Sequence, residues 1–399
     1  MHFQALDDKQ ECIGVYVDGK LHFDKIPDSL THTWKYSGSL QRRDVEYGWI
    51  RAEGRSLREV CPEELLDDYT KIARKMNAFY KSFQIAKIDF SAHCVFDLIP
   101  HDALVEFCEV KNKITQHVFE NYEKPLNYDF LCQTDKLLYD IRYRPLKVDV
   151  SDCRTMFTAT NSRIGLKKII EGSHYIDYNL FGTVTGRLAT CPRSFPILTM
   201  KKDFRKVIKP HNDWFISLDY NGAEVRTVIA LLGREQPKRD IHTWNIEKVF
   251  APRGMHKELT RDKAKTLFFG WLYNPDSTAI ESEIYDRESI LDKYYKNGYV
   301  STIFDRKIEV DERRAFNYLI QSTTSDLVID RALEIDKILR PTKSSVSHIV
   351  HDELVIDLAD EDRPLIPEIK KVFSENKLAA FMVNLKAGKN YYDLEELKI

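Results

Sequence analysis

From Pro62 onward the chain repeats apolar residues at Leu65, Tyr69, Ile72, Met76, Phe79 and Phe83, a spacing of three or four that gathers them on one helical face. Acids fall early in that run and Lys or Arg later, as the helix dipole favours. A second run at Leu104, Phe107, Val110 or Lys111, Ile114 and Val118 predicts another helix, so residues 61–150 read as mostly helical. Before them, CIGVYVDGKLHF at 12–23 sets Asp18-Gly19 between two β-prone runs, a hairpin signal, and the first 60 residues are expected to form a small β-rich element. Two later stretches break the helical period. WFISLD at 214–219 is a short apolar strand ending in an acid, and VSHIVHDELVIDL at 346–358 is two β-prone runs interrupted by His351-Asp352-Glu353, as in a hairpin with acids at its turn. Between these strands, 240–335 reads largely as helix.

Within that helical part, RDKAKTLFFGWLY at 261–273 places Arg261, Lys265, Phe269 and Tyr273 every four residues on one slowly drifting face. Helical rise separates the first from the last by roughly 18 Å, room for a long anion with a flat ring at its far end. A nucleoside triphosphate has that shape: Arg and Lys suit phosphates, and aromatics suit a sugar and base. An amphipathic helix with solvated cations and core aromatics would show the same stripe, so the strands must decide. Asp219 and Asp352 each end or interrupt a hydrophobic strand, and if those strands are neighbours the two carboxylates converge at one rim. Paired acids there could hold two divalent cations about 3.5–4 Å apart, with magnesium the natural ion because it prefers oxygen ligands and substrate phosphates. Stripe and acids together sketch a phosphoryl or nucleotidyl transfer site.

Composition narrows the class without changing this picture. The 399 residues are 43% hydrophobic and 31% charged with a net charge of −2, a soluble globular composition. No global basicity advertises nucleic acid, but a basic groove can be balanced by acidic outer faces. The start MHFQALDDKQE has no signal-peptide character, and no segment is apolar for long enough to span a bilayer, so a cytosolic protein without a membrane partner is expected. Seven cysteines without a CxxC pair are expected to be free buried thiols rather than a zinc site or disulfides.

Three segments then carry a resemblance. LDYNGAEVR at 218–226, RDKAKTLFFGWLY at 261–273 and VHDELV at 350–355 resemble the three polymerase motifs of family A DNA polymerases, in order. TVTGRLAT at 183–190, RDIHT at 239–243, and GYVSTIFDRK with NYLIQSTTSDL resemble the accompanying segments, over roughly 120–399. The resemblance implies an α+β right-hand fold: a small β-rich element at 1–60, a reduced helical thumb at 61–165, palm at 166–232, fingers at 233–325 and palm again at 326–399. It implies two Mg2+ ions on Asp219 and Asp352 with the Tyr220 carbonyl, and Glu353 in support. Arg261, Lys265 and His242 would grip the triphosphate, Phe269 and Tyr273 pack on its sugar and base, Glu224 be the gate against a 2′-hydroxyl, and Arg226 its nearby partner. Arg187, Asn317, Gln321 and His351 would contact the primer end or the minor groove.

The chain departs from the family at Asn221-Gly222-Ala223, often Ser-Gln-Ile; at Asn274, usually Gly; and at Ser322-Thr323-Thr324 in place of Gly-Thr-Ala. A proofreading exonuclease of this family needs an acidic DxE motif with further aspartates over a sizeable domain, and the first 150 residues are expected to be too small to hold that set. The expectation is therefore a compact, phage-like DNA polymerase acting on primer-template and dNTPs without its own proofreading. Residues 1–60 could be a remnant of a lost domain, or could dock a separately encoded exonuclease or processivity factor as a further partner, and host cytoplasm is the expected setting for a viral replication protein. The alternatives are a phage-type single-subunit RNA polymerase and a non-catalytic primer-template-binding subunit.

Overall fold

The computed structural model describes residues 2–9, 12–23, 26, 30–40, 44–90, 92–151, 153, 158–254 and 259–398, in two compact units, Met1–Tyr139 and Asp140–Ile399. In the first, strands Lys20–Phe23, Cys12–Val17, His2–Lys9, His32–Thr33 and Glu46–Tyr47 form one sheet in that order. The expected hairpin is present: Asp18 and Gly19 both take positive φ, 47° and 81°, as a two-residue turn that follows the strand twist requires. The two expected helices span Glu63–Ile85 and His101–Asn121. Their buried Ile72, Met76, Leu104 and Ile114 share one core with Trp34 and Val60, so the strand region and the helices are stabilised by the same apolar burial.

The thiol expectation needs correction. Cys12 and Cys94 form a disulfide between residues 82 apart, fastening a strand to the start of the short helix Val95–Leu98. Sequence spacing does not report which distant cysteines the fold brings within bonding reach. Among the described residues Cys61, Cys108, Cys132, Cys153 and Cys191 are free.

The second unit is built on an antiparallel sheet whose central strand is the predicted WFISLD run, β1 (Trp214–Tyr220). The chain leaves it into α1 (Ala223–Leu231), α2 (Ile241–Asn245) and α3 (Arg261–Tyr273), then the long α4 (Glu312–Leu339). The predicted hairpin follows as β2 (Ser345–Val350) and β3 (Glu353–Leu358), then α5 (Ile366–Ser374), β4 (Val383–Gly388) and β5 (Glu395–Glu396). Sheet order is β2-β3-β1-β4-β5, with Asp219 opposite Glu353 on one side and Asn384 on the other. Helix α4 packs on α1, α3, α5 and β2, and it is buried on most faces because apolar residues occur all round it.

A second cluster joins Val225, Phe250, Phe268, Trp271, Tyr285 and Phe316, anchoring α3 by the face opposite its polar stripe. The 240–335 segment is less helical than its periodicity predicts. It contains a three-stranded sheet of Tyr295–Lys296, Tyr299–Ser301 and Lys307–Glu309, turned by Asn297-Gly298 with φ of 54° and 81°, a turn dipeptide the helical reading passed over. Helices beside an antiparallel sheet meet the α+β expectation. No described helix is long and apolar enough to cross a membrane.

Candidate active site

Strand alternation and a tight turn deliver the two acids. Asp219 is the penultimate residue of β1, where Phe215, Ile216, Ser217 and Leu218 are buried behind it. His351 takes a left-handed φ of 57° in the β2–β3 turn, a conformation uncommon outside glycine, and Asp352 follows it. The two carboxyl groups act on each other. Burial, opposed by a hydrogen bond from Asn384 Nδ2 at 3.2 Å, raises Asp219 to about 6. Burial, then the charges of Asp219 and Glu224, raises Asp352 to about 7. Two buried carboxylates that resist ionising together are a donor set that a hard divalent cation would relieve, and these residues fit such an ion. Glu353 is held on the same face: Ser217 Oγ donates to it at 2.6 Å and the Tyr391 hydroxyl at 2.7 Å. Tyr220 closes the strand with its ring stacked on Phe373 at 4.5 Å.

After the strand, Gly222 turns the chain with a φ of 72°, and a Cβ there would lie 2.5 Å from Ile241 Cγ2, so only glycine allows this approach. Helix α1 then presents Glu224 in its first turn. Its partner is Arg187, whose Nη2 donates to Glu224 Oε1 at 2.8 Å. The expected Arg226 partnership is therefore corrected. Two helical positions turn Arg226 away from Glu224, and it is fully buried, donating to the carbonyls of Asn221, Pro237 and Arg239 and to Asn221 Oδ1. Those bonds leave no exposed edge with which to bind a nucleotide. Its position within the first motif carried no sign of this.

Helix α3 runs from Arg261 to Tyr273, the bounds of the stripe, with Thr260 as its N-cap. Lys265 Nζ lies 5.9 Å from the Phe269 ring centre, and Phe269 stacks on Tyr273 at 5.9 Å. Arg261 is half exposed and paired with Asp240 at 2.8 Å. His242 is 2% exposed. Burial, then the charges of Arg261 and others, lowers it to about 4, and its Nδ1 has no partner among the described residues. Near the other end, the Tyr273 hydroxyl meets Arg187 and Gln321, Gln321 donates to Asn317 at 2.6 Å, and His351 feels the charges of Arg187 and Glu224. The fold thus gathers Arg187, Glu224, Tyr273, Asn317, Gln321 and His351 beside the acids, with the cations of α3 leading toward them. Lys265 contributes to the field at Asp219.

Sequence reasoning missed Asp240, Asn221 and Tyr391 as members of this network. Asp240 had a local signal, an acid three residues before Thr243 at a helix start; it caps α2 by accepting from Thr243 N at 2.9 Å.

The sequence matches DNA polymerase I, thermostable, from Thermus aquaticus at 26% identity over 251 residues, 51% of this chain and 30% of that protein. It matches the protein of the same name from Thermus thermophilus at 28% over 48% of this chain, and DNA polymerase I of Caldicellulosiruptor bescii at 26% over 53%. By sequence, this chain is similar to these DNA polymerase I proteins. It spans about 30% of the length of these polymerase I relatives, and no protein-family model matches it. A solved structure, the POL domain of Pol1 from M. smegmatis in complex with DNA primer-template and dNTP, aligns with 83% of this chain and 66% of its own at 15% identity and a TM-score of 0.46.

Proposed function

We propose that this chain is a template-directed DNA polymerase that joins dNTPs to a primer 3′-hydroxyl. The observation that carries the reading is the meeting of Asp219 and Asp352 at one rim of the sheet, each raised toward neutrality by burial and by nearby charge. Magnesium ions held by these carboxylates and the Tyr220 carbonyl would lower the pKa of the attacking hydroxyl and stabilise the leaving pyrophosphate.

The chain's own groups do the remainder. Arg261 and Lys265 neutralise the triphosphate as fork and point charge, with His242 beneath them. Phe269 supports the sugar and Tyr273 the base. Glu224, fixed by Arg187, stands where a 2′-hydroxyl would fall and so selects deoxynucleotides. Asn317, Gln321 and His351 contact the primer end. The proposed activity is synthesis without proofreading by these residues, and residues 1–60 are the proposed dock for a separately encoded exonuclease or processivity factor.

Primer extension by the full chain, set beside Asp352→Ala, tests the reading. Extension with dNTPs that Asp352→Ala abolishes is expected. Extension with rNTPs alone would favour the RNA polymerase alternative, and equal inactivity of both proteins with retained primer-template binding would favour the non-catalytic one.

A further inference from the structure

We propose that Asn221 and Asp240 act as a pair of positioning residues, holding the Arg261 guanidinium ready for the nucleotide phosphates before any nucleotide arrives. The inference rests on the polymerase reading above.

Both Asp240 oxygens are fixed from the protein side. Oδ1 accepts from Thr243 N at 2.9 Å and Thr243 Oγ1 at 3.0 Å, and Oδ2 accepts from Asn221 Nδ2 at 2.9 Å. Arg261 then docks side-on. Its Nε lies 3.1 Å from each oxygen and its Nη2 2.8 Å from Oδ2. That contact uses the Nε–Nη2 edge of the fork and leaves the Nη1–Nη2 edge for a second, bidentate acceptor such as a phosphate. Burial opposes ionisation of Asp240, but donation from Arg261, Asn221 and Thr243 overcomes it and keeps the carboxyl well below its usual range. The anion is therefore present whenever the site is used.

Asn221 is equally constrained. Its Oδ1 accepts from Ile241 N at 2.8 Å and from Arg226 Nη2 at 3.3 Å. Arg226 in turn holds the Asn221 carbonyl through Nε at 2.8 Å. A continuous set of hydrogen bonds thus runs from the tip of β1, beside Asp219, to the first residue of α3. An exposed ion pair alone contributes little, because two long side chains must be ordered to form it. Here the Asp240 side is ordered already, and a cation held in its binding geometry loses less freedom when the ligand binds. The amide at position 221 makes these contacts with two separate atoms, Nδ2 donating to Asp240 and Oδ1 accepting from Ile241 N. A serine hydroxyl can donate and accept too, but from a single atom on a shorter side chain, so it does not reproduce both contacts.

The test is a double-mutant cycle on the full chain, reading dNTP KM and kcat in primer extension and dNTP binding by calorimetry with primer-template bound. Asn221→Ser and Asp240→Ser are the variants; serine at 240 keeps a cap for α2, which separates positioning from folding. Each is expected to raise dNTP KM and dissociation constant about fivefold to tenfold, with kcat within about twofold and primer-template affinity unchanged. In an Arg261→Ala background the same substitutions should add less than about twofold. Unchanged KM in the single variants, or a full effect persisting without Arg261, overturns the inference while leaving the polymerase reading intact. A wild-type chain that neither extends a primer nor binds dNTPs overturns both.

Discussion

Glu224 and Arg187 form a charge-assisted hydrogen bond of 2.8 Å between residues 37 apart in sequence. Glu224 is only 12% exposed at its side chain, so the proposed gate against ribose is held from one side by a residue of a different segment. Such a bond contributes about 1.5–3 kcal/mol. Arg187→Met should leave Glu224 free to swing aside, and the ratio of kcat/KM for dNTP over rNTP should fall about tenfold. Glu224→Ala should lower it further. Unaltered sugar selectivity in Arg187→Met would show that Glu224 is positioned by the helix alone.

Phe269 lies between Lys265 and Tyr273 on α3, where the family resemblance places the sugar. In the family this chain resembles, an aromatic without a hydroxyl at that position goes with rejection of dideoxynucleotides, and the same is proposed here. Phe269→Tyr should weaken the discrimination while dNTP use stays within about twofold. Competition between ddNTP and dNTP in a primer extension ladder reads the outcome.

Glu353 has both oxygens engaged, one by Ser217 and one by Tyr391, and the Arg205 guanidinium sits 4.6 Å from the Tyr391 ring centre. Tyr391→Phe removes one hydroxyl while the ring keeps its edge contacts with Phe215 and His348. The freed carboxylate oxygen should change the concentration of Mg2+ needed for half-maximal extension by about threefold or more, with dNTP KM and the thermal midpoint little changed. Identical metal titrations for the two proteins would assign Tyr391 to packing only.

His348 is fully buried, donates or accepts through Nδ1 only to Ser347, and has an Nε2 without a partner among the described residues. Burial, then the charge of Arg205, lowers it from 6.5 to about 3. Unfolded chains bind that proton below pH 6.5 while the folded one does not, so stability is lost as pH falls through the window from about 6.5 to about 3. The loss from this residue should approach ~3 kcal/mol by about pH 4. Chemical denaturation at about pH 7 and pH 4 should show His348→Leu less acid-sensitive than the wild type, and equal slopes would place the sensitivity elsewhere.

The Cys12–Cys94 bond closes a loop of 82 residues within the N-terminal unit. Cross-links of that span contribute about 2–4 kcal/mol through the unfolded chain. Cys12→Ser, or a reductant, should lower the thermal midpoint of that unit and leave a DTT-insensitive variant; a wild type indifferent to reductant would mean that the bond does not form in solution.

What the residue order determines by itself in this protein is whatever repeats within a few positions. The stripe from Arg261 to Tyr273, the apolar run ending at Asp219 and the Asp18-Gly19 turn all arise from backbone periodicity and local φ preference, and each is found where its pattern lies. Asn297-Gly298 was equally local and was hidden only by the helical residues around it. Tertiary structure alone decides partnership across distance: Arg187 with Glu224, Asp240 with Arg261, Cys12 with Cys94. It also decides that Arg226, two residues from Glu224, turns into the interior. These pairings depend on which elements the apolar core packs together, and that packing sums many weak, non-directional contacts that no short stretch of sequence encodes.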